Sequence, residues 1–315
     1  MLNRRILRIK VFQVLYAYYK DDEPVTARYE TFLLTSIRRI EEVYHFILSL
    51  PVELKHYITK EANPTEVKYF PTQRDIETGR TFLYNDVIGR LENSPAFLDK
   101  LRKVKFKWTD NKDLLRIIFN DFKGGKYFQS YLDEPVKDFT AKKRLILAFF
   151  TQYLPEMDDF DQYMEELNMH WQDDRKLIFN YLSKSLEALK EDDDDAKFAF
   201  SLSENWEEDW GFARDLFRKT MLKDAEYEAM IVKKTEKWDS ERIAISDMIL
   251  MKMALCEMIE FPSIPLKVTI NEYLEISKLY STPKSNSFLN GILDKIKNEL
   301  KEENKIVKQG RGLVE

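Results

Sequence analysis

Places to turn are scarce in this sequence. With 8 glycines and 10 prolines in 315 residues, the chain is poorly supplied for a barrel or a doubly wound sheet and well supplied for long helices. The apolar pattern agrees. Over residues 3–20, Leu7, Val11, Val14, Leu15 and Tyr18 recur at the spacing that lines one helical face. Asp21-Asp22-Glu23-Pro24 ends that helix, because the residue before a proline avoids the α region. The spacing predicts a second helix over 26–49, with Phe32, Leu33, Ile37, Ile40, Val43, Tyr44 and Ile47 inward, stopping before Pro51. An all-α protein is expected, and 44% hydrophobic with 13% aromatic residues is ample for its core.

Further helices are predicted near 52–61, 74–92, 95–104, 111–122, 140–153 and 171–189, broken at Pro64, Pro71, Gly124-Gly125, Pro135, Pro155 and the acidic run 191–195. That run reads as a solvated loop. Beyond 206 the pattern is regular, with helices expected over 207–222, 224–234, 239–260, 269–280 and 285–303. Thr269-Ile-Asn-Glu272 has the spacing of a capping box. The tail after 303 has no evident core to join and is expected to fray.

One stretch of the last helix sets two local rules against each other. In "SFLNGILDKI" (287–296), Asn290-Gly291 is a strong hairpin signal, whereas Phe288, Leu289, Ile292, Leu293 and Ile296 keep helical spacing. The helical reading predicts a buried Gly291 approached closely by a neighbouring backbone, with Asn290 bonding a nearby loop and a clash on Gly291→Leu.

An internal similarity runs without a gap at an offset of 67 residues, laying 145–186 beside 212–253. Phe150 meets Phe217, Trp171 meets Trp238, Arg175 meets Arg242 and Ile178 meets Ile245. Residues 114–135 resemble a fainter third copy. A duplicated helix-loop-helix unit and the general likeness of amphipathic helix pairs both account for it.

Catalytic and metal signatures are not found. One cysteine, Cys256, excludes an internal disulfide, and with 3 histidines there is no Cys/His ligand spacing. The sequence has no glycine-rich nucleotide loop, GxSxG, HExxH or CxxC. No enzyme, cofactor or metal is expected. The opening residues carry arginines inside their apolar stretch and show no small-residue cleavage site, and no uncharged run approaches the roughly 18 residues of a span, so a cytoplasmic protein without membrane association is expected. The formal net charge of -5 argues against a generally basic surface. The first ten residues nevertheless carry Arg4, Arg5, Arg8 and Lys10 with no acid. Arg5, Arg8 and Phe12 run down one side of the first helix, with Tyr16 and Tyr19 beyond, so cations for phosphates precede rings for bases.

Two stretches, "RRILRIKVFQVLYAYY" from Arg4 and "ERIAISDMILMKMALCEMIEFPSIPLKVTINEYLEISKLYSTPKSNSFLNGILDKI" from Glu241, resemble the NusB family of transcription antitermination factors. The likeness rests on the arginine-bearing first helix ending in Leu15-Tyr16, on Ile264, Pro265, Lys267, Val268 and Ile270–Glu272, and on Phe288, Asn290, Gly291, Leu293 and Asp294. It covers about 1–50 and 206–300. The resemblance implies two helical bundles, no catalysis, and binding of boxA-type RNA of ribosomal RNA transcripts together with the small-subunit ribosomal protein NusE, in an RNA polymerase antitermination complex. Carried over, it implies RNA contacts at Arg4, Arg5, Arg8, Tyr16, Lys267 and Lys284, partner contacts at Glu257, Ser285 and Phe288, and structural roles for Asn271, Glu272, Asn290 and Gly291. It also implies a NusB-like domain over 1–50 and 206–303, an inserted helical region over 51–205, and a flexible tail over 304–315. The alternatives are an RNA-binding domain related to ribosomal RNA cytosine methyltransferases and a helical scaffold in ribosome biogenesis.

Overall fold

The structure is a computed structural model that describes residues 3–62, 70–194, 201–235 and 243–313, and among these every regular element is helical. In chain order the α-helices are α1 (Arg4–Lys20), α2 (Thr26–Leu48), α3 (Leu50–Tyr57), α4 (Gln73–Leu83), α5 (Asp86–Asn93), α6 (Pro95–Leu101), α7 (Lys112–Gly124) and α8 (Lys126–Leu132). They continue as α9 (Phe139–Ala148), α10 (Asp158–Leu167), α11 (Trp171–Ala188), α12 (Trp206–Leu222), α13 (Asp224–Lys234), α14 (Ile245–Glu260), α15 (Leu266–Tyr280) and α16 (Ser285–Glu302). The chain divides into two compact units, Met1–Ile37 with Ser203–Glu315, and Arg38–Leu202.

The first unit is built around α14. Its sequence, ISDMILMKMALCEMIE, is apolar on nearly every side, and residues Ile249–Met258 are all buried. A helix of that kind has no solvent face and must be surrounded. α1, α12, α13, α15 and α16 all pack on it. The three charged side chains it buries are each satisfied, as burial demands. Lys252 donates to Asp224 at 2.7 Å and Glu228 at 2.6 Å, Asp247 accepts from Ser281, and Glu257 accepts from Arg8. Cys256 lies fully buried on the same helix. Burial pushes its thiol up to about 12, so it is an inert packing residue.

Several expectations are corrected here. Helix α15 begins at Leu266 rather than 269, with Pro265 at its cap. Thr269 is therefore inside the helix and buried, and its hydroxyl donates to Glu257 at 2.8 Å instead of closing a capping box. Gly291 is helical within α16 but exposed, and a Cβ built on it meets nothing within 4 Å. No neighbouring backbone requires its missing side chain. Asn290 is likewise exposed on α16, and no loop bond to it is found among the described residues. The tail does find something to join. After α16, Asn304 adopts a left-handed backbone (φ 52), the Lys305 amide bonds the Leu300 carbonyl at 2.9 Å, and the Gln309 amide bonds the Pro262 carbonyl at 3.0 Å.

The second unit has a core rich in stacked rings. Phe46 and Trp108 lie parallel with centroids 4.0 Å apart, and the indole N–H donates to the Phe46 carbonyl at 2.9 Å. Phe82, Phe122, Phe128 and Phe149 form a second buried group. The long helix expected over 74–92 is two, because Asn85 accepts from the Val87 and Ile88 amides and starts α5. The helix expected to end at 153 is regular only to Ala148 and then widens into a π turn over Phe149–Tyr153. Pro155, which follows, lacks an N–H and crowds the carbonyl four residues back. Helices α8 and α10 fall where only breaks were read, after Gly124-Gly125 and after Pro155.

The 67-residue similarity extends to element boundaries. Phe139 and Trp206 open α9 and α12, and Leu167 and Lys234 close α10 and α13, at that same offset. Both α9 and α10 pack on α11, as both α12 and α13 pack on α14. Trp238 and Arg242, two of the matched residues, lie outside the described residues.

Candidate nucleic-acid interface

Helix α1 starts because the Asn3 side chain accepts the Ile6 amide at 3.0 Å, satisfying one of the free donors of the first turn. Leu7, Val11, Val14 and Leu15 are buried, which fixes the rotation of the helix and sends Arg4, Arg5 and Arg8 together along another face. They line a cleft of about 870 Å³ with Asn3, Glu208 and Glu272, opposite Ser263–Pro265 and Val268.

Within the cleft the arginines lie at two depths. Arg8 is 2% exposed and grips the fully buried Glu257 with two bonds, Nε to Oε2 at 2.7 Å and Nη2 to Oε1 at 2.8 Å. Glu257 also accepts from Thr269 and, at 3.3 Å, from the Tyr273 hydroxyl. Burial opposes the Arg8 charge, but the hydrogen bonds and charge of Glu257 outweigh it and raise the guanidinium above its ordinary pKa. Arg5 sits further out, at 40% side-chain exposure, in a two-bond pair with Glu272 at 2.7 and 2.8 Å. Hydrogen bonding from Arg5, stronger than the effect of burial, holds the Glu272 carboxyl below its usual range. Arg4 is exposed to the same degree as Arg5, at 39%, bonded to Glu208 at 2.6 Å and lying 4.6 Å from the Phe212 ring centroid.

The other expected residues fall in different places. Of the three rings along α1, Phe12 is buried against Tyr280 and Tyr19 donates its hydroxyl to Asp224, while Tyr16 stays exposed at 39% with the Lys20 ammonium over its ring. Lys267 and Asn271 on α15 and Asn290 on α16 line a second cleft of about 640 Å³, along with Lys308 of the tail. The Lys308 ammonium donates to the Phe261 carbonyl at 3.0 Å, and burial, opposed by the Glu257 charge, brings its pKa down to about 8. Lys284 is exposed at the start of α16. Ser285 is buried, bonded to Ser281 at 2.8 Å and Thr282 at 2.9 Å; Phe288 is half-buried. Arg8, Glu257 and Ser285 are thus held inside the unit, where burial and saturated bonding give them structural work in place of the surface contacts expected of them. Glu208, Phe212, Thr269 and Tyr273 were not anticipated. The one sequence signal for the first two is their i, i+4 spacing on α12.

Among the described residues the first unit is all-helical, and its built polar site is a set of arginine–glutamate pairs. Comparison with known proteins places the chain in a family. The NusB family model matches residues 172–298. A transcription antitermination protein NusB of Salinibacter ruber is 41% identical over 33% of this chain and 64% of its own length. That of Chloroherpeton thalassium is 48% identical over 27% of this chain and 40% of its own, and that of Koribacter versatilis is 40% identical over 31% of this chain and 68% of its own. The chain belongs to the NusB family. It therefore spans less than two thirds of the first two relatives. The matched region begins with α11, inside the stretch read from sequence as an insertion, and stops short of α1. No solved structure matches the chain. No helix among the described residues is long and apolar enough to cross a membrane.

Proposed function

We propose that this protein acts in transcription antitermination as a non-catalytic factor, binding boxA-type RNA of ribosomal RNA transcripts together with the ribosomal protein NusE. The observation that carries this reading is the split in the arginine cleft between a buried Arg8 and a half-exposed Arg4 and Arg5. Exposed arginine–carboxylate pairs are worth only about 0–1 kcal/mol, so Arg4 and Arg5 can exchange Glu208 and Glu272 for phosphate oxygens at little cost. Arg8 cannot, because leaving would strand Glu257 in the core. On this reading Arg8 holds α1 in place while Arg4 and Arg5 meet the backbone, Tyr16 offers a ring to an unpaired base, and Lys267 and Lys284 add outlying cations. The half-buried Phe288 is then the remaining partner contact. The sequence reading makes residues 51–205 an addition to the family's usual chain, of which the part from 172 onward falls within the family match. Arg4→Glu combined with Arg5→Glu is expected to weaken boxA RNA binding at least tenfold in fluorescence anisotropy, with unchanged melting temperature. Unchanged affinity would move the RNA face elsewhere. Purification of the tagged protein from lysate is expected to bring down NusE and nuclease-sensitive RNA.

A further inference from the structure

Residues 100–108 of the second unit read KLRKVKFKW, five basic residues with no acid, in a chain whose net charge is -5. Helix α6 ends at Leu101, and residues 104–107 form neither helix nor turn. Along 103–108 burial alternates strictly. Lys103, Lys105 and Lys107 are exposed, Val104 and Phe106 are half-buried, and Trp108 is buried. That period of two is the signature of an extended backbone, and Lys107 has φ -136 and ψ 130. Alternate side chains of such a segment stand roughly 6.6 Å apart.

The inward residues hold the strip rigid. Phe106 lies 5.5 Å from the Phe46 ring and under the Arg39 guanidinium at 4.9 Å, and Trp108 is locked to Phe46 and Ser49 by its indole N–H. Lys100 and Arg102 are taken by Glu41 and Asp99. No carboxylate among the described residues pairs with Lys103, Lys105 or Lys107. Helix-end electrostatics would account for cations in the last turn of α6, but not for Lys105 and Lys107 beyond it. Lys103 at the turn that ends α6 and Lys105 and Lys107 on the extended segment after it, none paired with a carboxylate among the described residues, form a basic strip on a fixed backbone.

We propose that Lys103, Lys105 and Lys107 bind the sugar–phosphate backbone of a single-stranded nucleic acid, giving the second unit a binding strip of its own, separate from the arginine cleft. A row of point charges without side-chain pockets fits a repeating phosphate chain better than an acidic peptide, whose recognition needs such pockets. A membrane surface would need apolar side chains projecting among the lysines, and here they face inward.

The test uses the full-length protein and a fluorescent uridine oligomer, with anisotropy measured across a salt series. Each phosphate neutralised on a single strand contributes about 0.7 to the slope of log K against log salt. Changing Lys103, Lys105 and Lys107 together to Gln is therefore expected to flatten that slope by about 2 and weaken binding at low salt, while Arg at all three positions preserves both. Photo-cross-links from wild-type protein to the oligomer are expected in the peptide spanning 103–108. If the glutamine variant keeps the wild-type slope, or if the only cross-links fall in 3–20, the proposal is overturned. It is also overturned if the three lysines govern binding to phosphatidylserine vesicles or polyglutamate but not to RNA. Arg4→Gln with Arg5→Gln, measured in parallel, reports on the cleft alone, so either surface can fail without the other.

Discussion

At the scale of single residues, the informative feature is that one arginine run divides into two kinds of arginine. Arg4, Arg5 and Arg8 are equivalent in the sequence, but Arg8 is committed to Glu257 and the others are bound at a surface. Removing one member of a buried, hydrogen-bonded pair leaves an uncompensated charge, at a cost of about 3–5 kcal/mol. Arg8→Met is expected to destabilise the protein by that amount in urea unfolding. Arg8→Met with Glu257→Leu together should recover much of the loss, because the stranded charge is gone, and a double variant no better than the single would show that packing rather than charge dominates. Glu257 gave no such warning in the sequence. A glutamate flanked by Cys256 and Met258 reads as a polar position on a helix, and only the convergence of Arg8, Thr269 and Tyr273 from two other helices explains how it is buried charged.

Elements were more legible than residues. The regular helices after 206 begin and end within about three residues of where periodicity puts them, except that α14 starts at Ile245 rather than 239, with 243–244 non-helical and 236–242 outside the described residues. In α16 the hairpin signal of Asn290-Gly291 loses because Leu289, Ile292, Leu293 and Ile296 are all buried on one helical face, and summed burial outweighs one unfavourable residue. The expected reason for the glycine does not survive, since Gly291 faces solvent with open space around it. Gly291→Ala should accordingly stabilise the helix by about 1 kcal/mol, read as a rise in urea midpoint, and Gly291→Leu should cause no clash. Loss of stability in the alanine variant would mean that the bare backbone is needed by something outside the chain. In the second unit, short helices follow Gly-Gly and proline breaks that read, in the sequence, as the end of the helical pattern. Such residues end one helix, but the next apolar face can begin within two or three positions, as it does at Lys126 and Asp158.

At the scale of the molecule, carboxylates in both units are held below their ordinary titration range. Glu272 is lowered by hydrogen bonds from Arg5 and Glu260 by those from Lys223; for Glu92, burial is overcome by Lys55 and His56. Folded carboxylates with depressed pKa bind fewer protons than the unfolded chain, so stability falls as pH falls. Their contribution is complete above about pH 5 and is lost below the ordinary glutamate value of about 4.3. Circular dichroism at fixed urea across pH 7 to 3 should show unfolding set in below that value, and a flat profile would mean these pairs contribute nothing. The sequence by itself determined the all-helical class, most helix boundaries after 206 and the family likeness, because these depend on periodicity and on residue order along one strand of chain. Tertiary structure alone decided which arginine is buried, what Thr269 bonds, where the tail returns, and that three lysines pair with no carboxylate among the described residues, because each depends on side chains brought together from helices far apart in sequence.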